Sequence, residues 1–458
     1  ESAVTGESVP VEKQEGAKVF AATLNIDGAL EVRATATFKD NSLTKMIHLV
    51  EEAQEQKGKT QAFIDRFGRK YTPAVLFVSL IIIVVPPFFG IPFNDLAIRG
   101  VVLLVAAAPC ALVMSTPVAV AAGIGSAGRH GILIKGGIHL ENLGKTKAVA
   151  FDKTGTLTTG TPAVTDIIPL NGNETGVLRI AYTVERCSDH PLARAIVKHA
   201  ETDGIRPFEA VDACALPGQA ATATIGGTTY YAGKPDFFTG ITQGADTERQ
   251  LSLLRAEGKT VIFVGTKEKI LGIIAVQDQV RLHAKAMIEA LHAMGIVTIM
   301  LTGDNGITAR AVATDLGIDD IRADLKPEDK TAAIESLKEK YGAVVMIGDG
   351  INDAPALAKA TVGIAMGTIG TDAAIEAADV ALMADDLSKV PEAIAFGKKA
   401  LAVSNQNIVF SIAVLAILIP TALAGILGVT AAVVFHEASE LLAIGNGLRA
   451  VKPDGGEE

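Results

Sequence analysis

The sequence predicts a multidomain membrane protein: α-helical transmembrane segments flanking a parallel, doubly wound α/β domain that is interrupted by a smaller β-rich insertion. Apolar residues make up 49% of the 458 residues and charged residues only 20%, and the charge is unevenly spread. That balance excludes disorder and a wholly soluble protein. Long apolar runs lie at 71–89, 101–125 and 407–448, and between them short apolar strands end in carboxylate-bearing turns. The formal net charge of −10 argues against a nucleic-acid partner. Cys110, Cys187 and Cys214 are too few for a disulfide framework, so a reducing compartment is expected for the soluble part. The chain opens on Glu1 with no visible signal peptide, and it is expected to begin partway through a longer protein.

Val101 to Gly125 carries no charge and exceeds the ~20 residues a crossing needs, so it is expected to be one span. Tyr71 to Phe89 is a second, broken by Pro86-Pro87. Asn407 to Leu448 is too long for one crossing and fits two joined around Gly425 to Gly428, for four spans in all. Lys57, Lys59, Arg66, Arg69 and Lys70 precede the first span, Arg129, Lys135, Lys145 and Lys147 follow the second, and Lys398, Lys399, Arg449 and Lys452 flank the last pair. By the positive-inside rule the large soluble parts are cytoplasmic and the protein is a multi-pass cell-membrane protein.

Cys110, directly after Pro109, and His436, Glu437 and Glu440 then fall near mid-membrane, where ionisable groups are costly and mark function. Pro109 removes a helical hydrogen bond and frees carbonyls beside the thiol, as an unwound ion site requires. Thiolate, imidazole and carboxylate together suit a borderline divalent metal such as Zn²⁺ or Co²⁺.

In the soluble middle, Ala148 to Phe151 runs into Asp152, Val297 to Leu301 into Thr302-Gly303-Asp304, and Val344 to Ile347 into Gly348-Asp349. Val362 to Ala365 and Val380 to Met383 are two further strands. Strands alternating with helices imply a parallel sheet with ligands at the strand carboxyl ends, so the three turns are expected to meet. Ala221 to Tyr231 and Val261 to Val264 mark the β-rich insertion. Asp152 to Thr156 offers a carboxylate followed by amides and hydroxyls, Thr154 among them, that can hold a phosphoryl group. A carboxylate can attack phosphorus and form an aspartyl-phosphate. Asp349 and Asp353, with Asn352, place oxygen ligands for Mg²⁺ beside it. Lys330 and Thr302 are placed to neutralise and hydrogen-bond the equatorial phosphoryl oxygens.

These residues resemble the P-type ATPases of the heavy-metal-transporting subgroup over essentially the whole chain. Asp152 to Thr158 reads D-K-T-G-T-L-T, Thr302 to Asn305 reads T-G-D-N, Gly348 to Asp353 reads G-D-G-I-N-D, and Thr5 to Ser8 reads T-G-E-S. The resemblance implies Asp152 as the phosphorylated residue, Mg²⁺ at Asp152, Thr154 and Asp349, Thr302, Gly303 and Asp304 in the hinge motif, and Glu7 as the dephosphorylation residue. It implies a haloacid-dehalogenase-like phosphorylation domain with an inserted α+β nucleotide-binding domain and a partial, β-rich actuator domain. The expected division is a partial actuator at 1–48, a linker helix and first transmembrane pair at 49–125, phosphorylation domain at 126–163 and 273–400, nucleotide-binding domain at 164–272, second transmembrane pair at 401–452 and a tail at 453–458.

ATP is implied as the second cofactor. Ser188 to Pro191 is similar to the subgroup's S-E-H-P with Asp189 for Glu, which implies His190 at the adenine end of ATP, and Glu185 stands where the subgroup has a nucleotide-contacting glutamate. Gly218-Gln219-Ala220 is similar to G-x-G with Ala220 for the second glycine, whose methyl crowds the approach. Cys187 and Cys214 lack metal-ligand spacing and are expected to be buried apolar thiols.

Ala108-Pro109-Cys110 departs from the subgroup's C-P-C, which disfavours monovalent copper. His436 to Glu440 reads H-E-A-S-E, similar to the cobalt and zinc branch with its S-P-C; Ala108 removes an oxygen and Glu440 adds one elsewhere. Cys110, His436 and Glu437 are the expected ligands. Glu440 lies on the same helical face as His436 and is a ligand, a counter-charge or an exit-path carboxylate. The expected function is ATP-driven export of Co²⁺, Zn²⁺ or Cd²⁺ through an aspartyl-phosphate, with the ion and the lipid bilayer as partners and a small metal-delivery molecule left open. Two other classes compete: a soluble haloacid-dehalogenase-type phosphatase, and a non-pumping membrane metal-binding remnant. As it stands, lacking the front of the actuator, the chain is not expected to pump.

Overall fold

The computed structural model describes residues 15–17, 19, 30–35, 59–90, 93–188, 190–216, 219–239, 241, 244–348, 353–366, 378–384 and 386–452. Glu7, Asp189, Gly218, Asp349, Asn352 and most of residues 1–48 lie outside them. The chain divides into two units, 1–148 with 337–346 and 354–458, and 149–336 with 347–353.

In the first unit a helix runs over Lys59–Val84 and stops where Pro86 and Pro87, with fixed φ and no N–H, open a short 3₁₀ turn, Pro86–Phe89. The span expected at 101–125 lies within Phe93–Arg129 and consists of two helices, Phe93–Ala106 and Cys110–Arg129, because Pro109 cannot extend the ladder between them. The C-terminal pair is a 35-residue helix, Lys389–Leu423, and a 19-residue helix, Val429–Gly447. Gly425, at φ 72°, makes the turn between them without a Cβ penalty.

Three segments, Thr60–Phe89, Phe93–Arg129 and Lys389–Leu423, are long and apolar enough to cross a bilayer. The fourth expected span, Val429–Gly447, is helical but falls short of that apolarity. His436, Glu437 and Glu440 occupy its middle.

The helix Gly137–Gly144 packs on Lys389–Leu423 through two bare backbones: a Cβ on Gly144 would stand 2.5 Å from the Gly397 carbonyl oxygen. Asn407 ties the last two helices together. Its amide donates to the Ala443 carbonyl at 2.9 Å, and its oxygen accepts from Asn446 at 2.8 Å. Strands Ile132–Ile134, Val380–Leu382, Val362–Ala365 and Val344–Gly348 lie side by side in that order, the first antiparallel to the second and the second parallel to the third.

In the second unit Ala148–Asp152, Val297–Leu301 and Asp320–Arg322 are neighbouring strands, the last two parallel and joined through the helix Gly306–Leu316. All five residues of Ala148–Asp152 are buried, the pattern of a parallel strand covered on both faces. The insertion is a six-stranded antiparallel sheet in the order Thr158–Pro169, Ile270–Val280, Thr260–Gly265, Thr228–Gly233, Ala220–Ile225, Val211–Leu216. Its first two strands pair from Thr158↔Val280 onward, which carries the sheet past both ends of 164–272.

The helices Glu174–Glu185 and Pro191–Thr202 bury Val177, Leu178, Ala181 and Ile196 against Ala223, Val264 and Ile274. Cys187 and Cys214 are exposed, against expectation. Cys187 follows a helix end, and Cys214 lies on the outermost strand, where five of six residues are uncovered.

Candidate functional site

The second unit gathers the strand-end turns. Asp152 ends its strand and is 7% exposed. The turn that follows needs Gly155 at φ 76°, and it is braced from outside: Arg281 donates to the Gly155 carbonyl at 2.8 Å, and its N–H donates to Leu157 at 3.0 Å. Thr158 Oγ1 lies 2.6 Å from Asp278. Neither Arg281 nor Asp278 was singled out from sequence; a charged pair closing the apolar run at 270–280 was the available signal.

Lys330, in the first turn of the helix Pro327–Tyr341, reaches two carboxylates. Its ammonium donates to Asp152 Oδ1 at 2.6 Å and to Asp353 Oδ1 at 2.7 Å. Burial, and then the neighbouring Asp353 carboxylate, raise the Asp152 pKa to about 6, with Lys330 opposing the rise. Asp353 is 1% exposed, and its Oδ2 has no hydrogen-bond partner among the described residues. Gly348 leaves room for it, since a Cβ there would stand 2.6 Å from that oxygen. Two carboxylates with one ammonium, and a buried hard oxygen without a donor, fit Mg²⁺.

Thr302 is pinned by its backbone, N–H to the Arg322 carbonyl at 3.0 Å and carbonyl from the Leu325 N–H at 3.1 Å. Its hydroxyl oxygen accepts from the Asp304 N–H at 3.1 Å, which leaves its proton to donate elsewhere. A Cβ on Gly303 would stand 3.1 Å from the Leu325 carbonyl. Asp304 pairs with Lys153. Asn305 is a helix cap, its Oδ1 accepting from Ile307 and Thr308 at 3.0 Å each. Thr154 is exposed in the turn after Asp152.

A cleft of about 220 Å³ starts at Lys153 and Asp304 and runs past Asp278 and Thr308 to Gly258, Thr260 and Leu192. Leu192 belongs to the turn capped by His190, whose Nδ1 accepts from the Leu192 N–H at 3.2 Å. That bond leaves the proton on Nε2 of the neutral ring, which is exposed and able to donate. Glu185 ends the preceding helix, and burial pushes its carboxyl up to about 7. The Ala220 methyl is accommodated by its strand partner Gly233, where a Cβ would come within 2.5 Å of it.

The first unit gathers a different chemistry. Pro109 (φ −88°, ψ 36°) interrupts the helix, and helical bonding resumes with Val113 N–H to the Pro109 carbonyl at 3.0 Å. Cys110 starts the new helix. A Cys110 sulfur, a His436 ring nitrogen and a Glu440 carboxylate oxygen lie within 4.8 Å of one another. His436 and Glu440 share a face because they are four residues apart on one helix. Glu437, one residue further around that helix than His436, is exposed and stands outside the group. One soft sulfur, one imidazole and one carboxylate form a site for a borderline divalent cation.

A family model described as haloacid dehalogenase-like hydrolase matches residues 146–361, and one described as P-type ATPase actuator domain matches residues 1–51. The chain is 45% identical over 461 residues to a probable cadmium-transporting ATPase of Alkalihalophilus pseudofirmus, covering 99% of this chain and 64% of the relative. It is 41% identical over 454 residues to the zinc-transporting ATPase of Bacillus subtilis, covering 99% of this chain and 71% of the relative. The chain thus spans less than two thirds of the length of the first of these relatives. A crystal structure of a zinc-transporting PIB-type ATPase in the E2.Pi state superposes with a TM-score of 0.78 at 39% identity, covering 99% of this chain and 74% of that one.

Proposed function

We propose a function from one established premise: the chain belongs to the PIB-type branch of the P-type ATPases. The protein is an ATP-driven exporter of a divalent transition-metal cation of the Zn²⁺, Cd²⁺ and Co²⁺ class across the cell membrane, with its soluble domains on the cytoplasmic side. The observation that carries this reading is the meeting of Cys110, His436 and Glu440 at a helix break. A single sulfur beside nitrogen and oxygen disfavours monovalent copper and suits the divalent ions. The relatives named for cadmium and zinc support the same class.

The chemistry follows from the second unit. ATP lies along the cleft, its adenine at Glu185 and His190 and its γ-phosphate at Asp152. An Asp152 oxygen attacks the γ-phosphorus, the bond to the bridging β–γ oxygen breaks, and ADP leaves with that electron pair. The Lys330 ammonium and the Thr302 hydroxyl hold the equatorial oxygens as charge redistributes. Asp152 and Asp353, with Thr154 and Asp349 by resemblance, would hold Mg²⁺, which supplies further charge neutralisation when bound. Glu7 then orients the water that hydrolyses the aspartyl-phosphate, and the two covalent states alternate access to the membrane site.

The test is ATP hydrolysis by the purified full-length protein, with an entire actuator domain, titrated separately with Zn²⁺, Cd²⁺, Co²⁺, Ni²⁺ and Cu⁺. Stimulation by the first three is expected. Absence of stimulation by every metal rejects transport in favour of a binding remnant, and stimulation confined to Cu⁺ rejects the divalent class.

A further inference from the structure

Behind Pro109, Ala106, Ala108, Pro109, Ser411, Leu418, His436 and Ser439 enclose a small cavity in the first unit. Three of these can bond a cation through a side chain: His436, Ser439 and Ser411. Ser439 has committed its proton, donating to the His436 carbonyl at 2.7 Å. Ser411 has not. It is 2% exposed, and its Oγ has no hydrogen-bond partner among the described residues.

A hydroxyl buried in an apolar helix ordinarily satisfies itself by donating to the carbonyl one turn back. Thr421 does so in the same helix, donating to Ile417 at 3.0 Å. Ser411 leaves that bond unmade, although an unpaired buried hydroxyl costs ~1–3 kcal/mol. Ser411 lines the same cavity as His436, and Ala108 lines it too.

We infer that the Ser411 hydroxyl is a further oxygen ligand of the transported cation, completing a four-coordinate set with Cys110, His436 and Glu440. This rests on the transport reading above. Sulfur, imidazole, carboxylate and one neutral oxygen give four donors, the number tetrahedral divalent zinc prefers. The lone pairs of an uncommitted serine suit the fourth place. The hydroxyl also makes Ser411 a specificity-determining position, because it supplies a hard donor where a thiol would supply a soft one.

The test is competition of the purified, detergent-solubilised protein against a chromophoric chelator, with Zn²⁺ and Cd²⁺ alone as the probes. Ser411→Ala is expected to lower Zn²⁺ affinity about tenfold or more. Ser411→Thr keeps the hydroxyl and is expected to stay near wild type, and Ala108→Ser added to Ser411→Ala is expected to recover part of the loss by returning a hydroxyl to the same cavity. Ser411→Cys is expected to shift preference toward Cd²⁺ and strengthen the thiolate-to-Cd²⁺ ultraviolet absorption over that of the single Cys110, a signature that a packing role would not produce. Wild-type affinity in Ser411→Ala together with an unchanged Cd²⁺ spectrum in Ser411→Cys overturns the inference if Cys110→Ala abolishes binding. Unchanged binding in Cys110→Ala overturns the transport-site reading itself.

Discussion

Lys330 and Asp152 form a buried ion pair at 2.6 Å, and the same ammonium also binds Asp353 at 2.7 Å. The lysine therefore holds two carboxylates together that would otherwise repel. Asp152 owes its raised pKa, about 6, to burial first and to Asp353 second, and the lysine opposes that rise by favouring the ionised carboxylate.

Asp152→Asn is expected to abolish acid-stable phosphoenzyme from labelled ATP; residual labelling at the wild-type level would move the nucleophile elsewhere. Lys330→Ala is expected to lower phosphoenzyme formation by about 10²–10³, the cost of one lost charge-stabilising donor. A change of less than about threefold would count against the shared ion pair as part of the machinery.

Glu7→Gln is expected to produce the opposite defect, phosphoenzyme that accumulates and decays slowly. Chase experiments with unlabelled ATP measure that decay directly, and wild-type turnover would remove Glu7 from hydrolysis.

Glu185 carries a pH signature. Its carboxyl sits near 7 because of burial, against an ordinary 4.5, so between those values the folded protein holds a proton that the unfolded chain has released. Its contribution to stability is full below about 4.5 and is lost as pH rises toward 7. In the proposed nucleotide-bound state the ionised form would be the better hydrogen-bond acceptor for the nucleotide. Calorimetric titration with a non-hydrolysable ATP analogue is expected to show affinity rising as pH increases through 7. Glu185→Gln is expected to flatten both slopes, and a mutant with the wild-type pH profile would dissociate Glu185 from nucleotide.

In the membrane unit, His436→Ala and Glu440→Gln are expected to remove or weaken metal stimulation about tenfold or more while ATP binding persists. Glu437→Gln is expected to change it less than about twofold, because Glu437 lies outside the group. The reverse ranking, Glu437 over Glu440, would redraw the site.

Asn407→Ala is expected to destabilise the packing of the last two helices by ~0.6–1.7 kcal/mol, the range for hydrogen bonds between membrane helices. Thermal unfolding in detergent reads the change, and an unaltered midpoint would mean the clamp is dispensable.

Much of this was legible in the sequence because the signals are local. Strands at 148–152, 297–301 and 344–348 announce themselves as short apolar runs ending in a carboxylate-bearing turn, and 362–365 as a short apolar run. Gly226 and Gly227, both at positive φ, turn the expected 221–231 run into a hairpin. What escaped depends on partners distant in sequence. Arg281 braces Gly155 across 126 positions, and Thr158–Pro169 reads as a strand only once Ile270–Val280 is beside it. Glu437 and Glu440 flank the same stretch of helix. Composition cannot say which of them meets a sulfur more than 300 positions away; the direction of the helix face against Pro109 decides it.

Two of the proline-bearing apolar segments of the first unit differ in continuity. Lys389–Leu423 runs 35 residues without interruption, ~50 Å at 1.5 Å per residue, whereas Phe93–Arg129 gives way at Pro109. One is a strut and the other a knee. Cys110 stands at that joint, so a cation held there in the proposed transport cycle would sit on the broken segment and not on the continuous one.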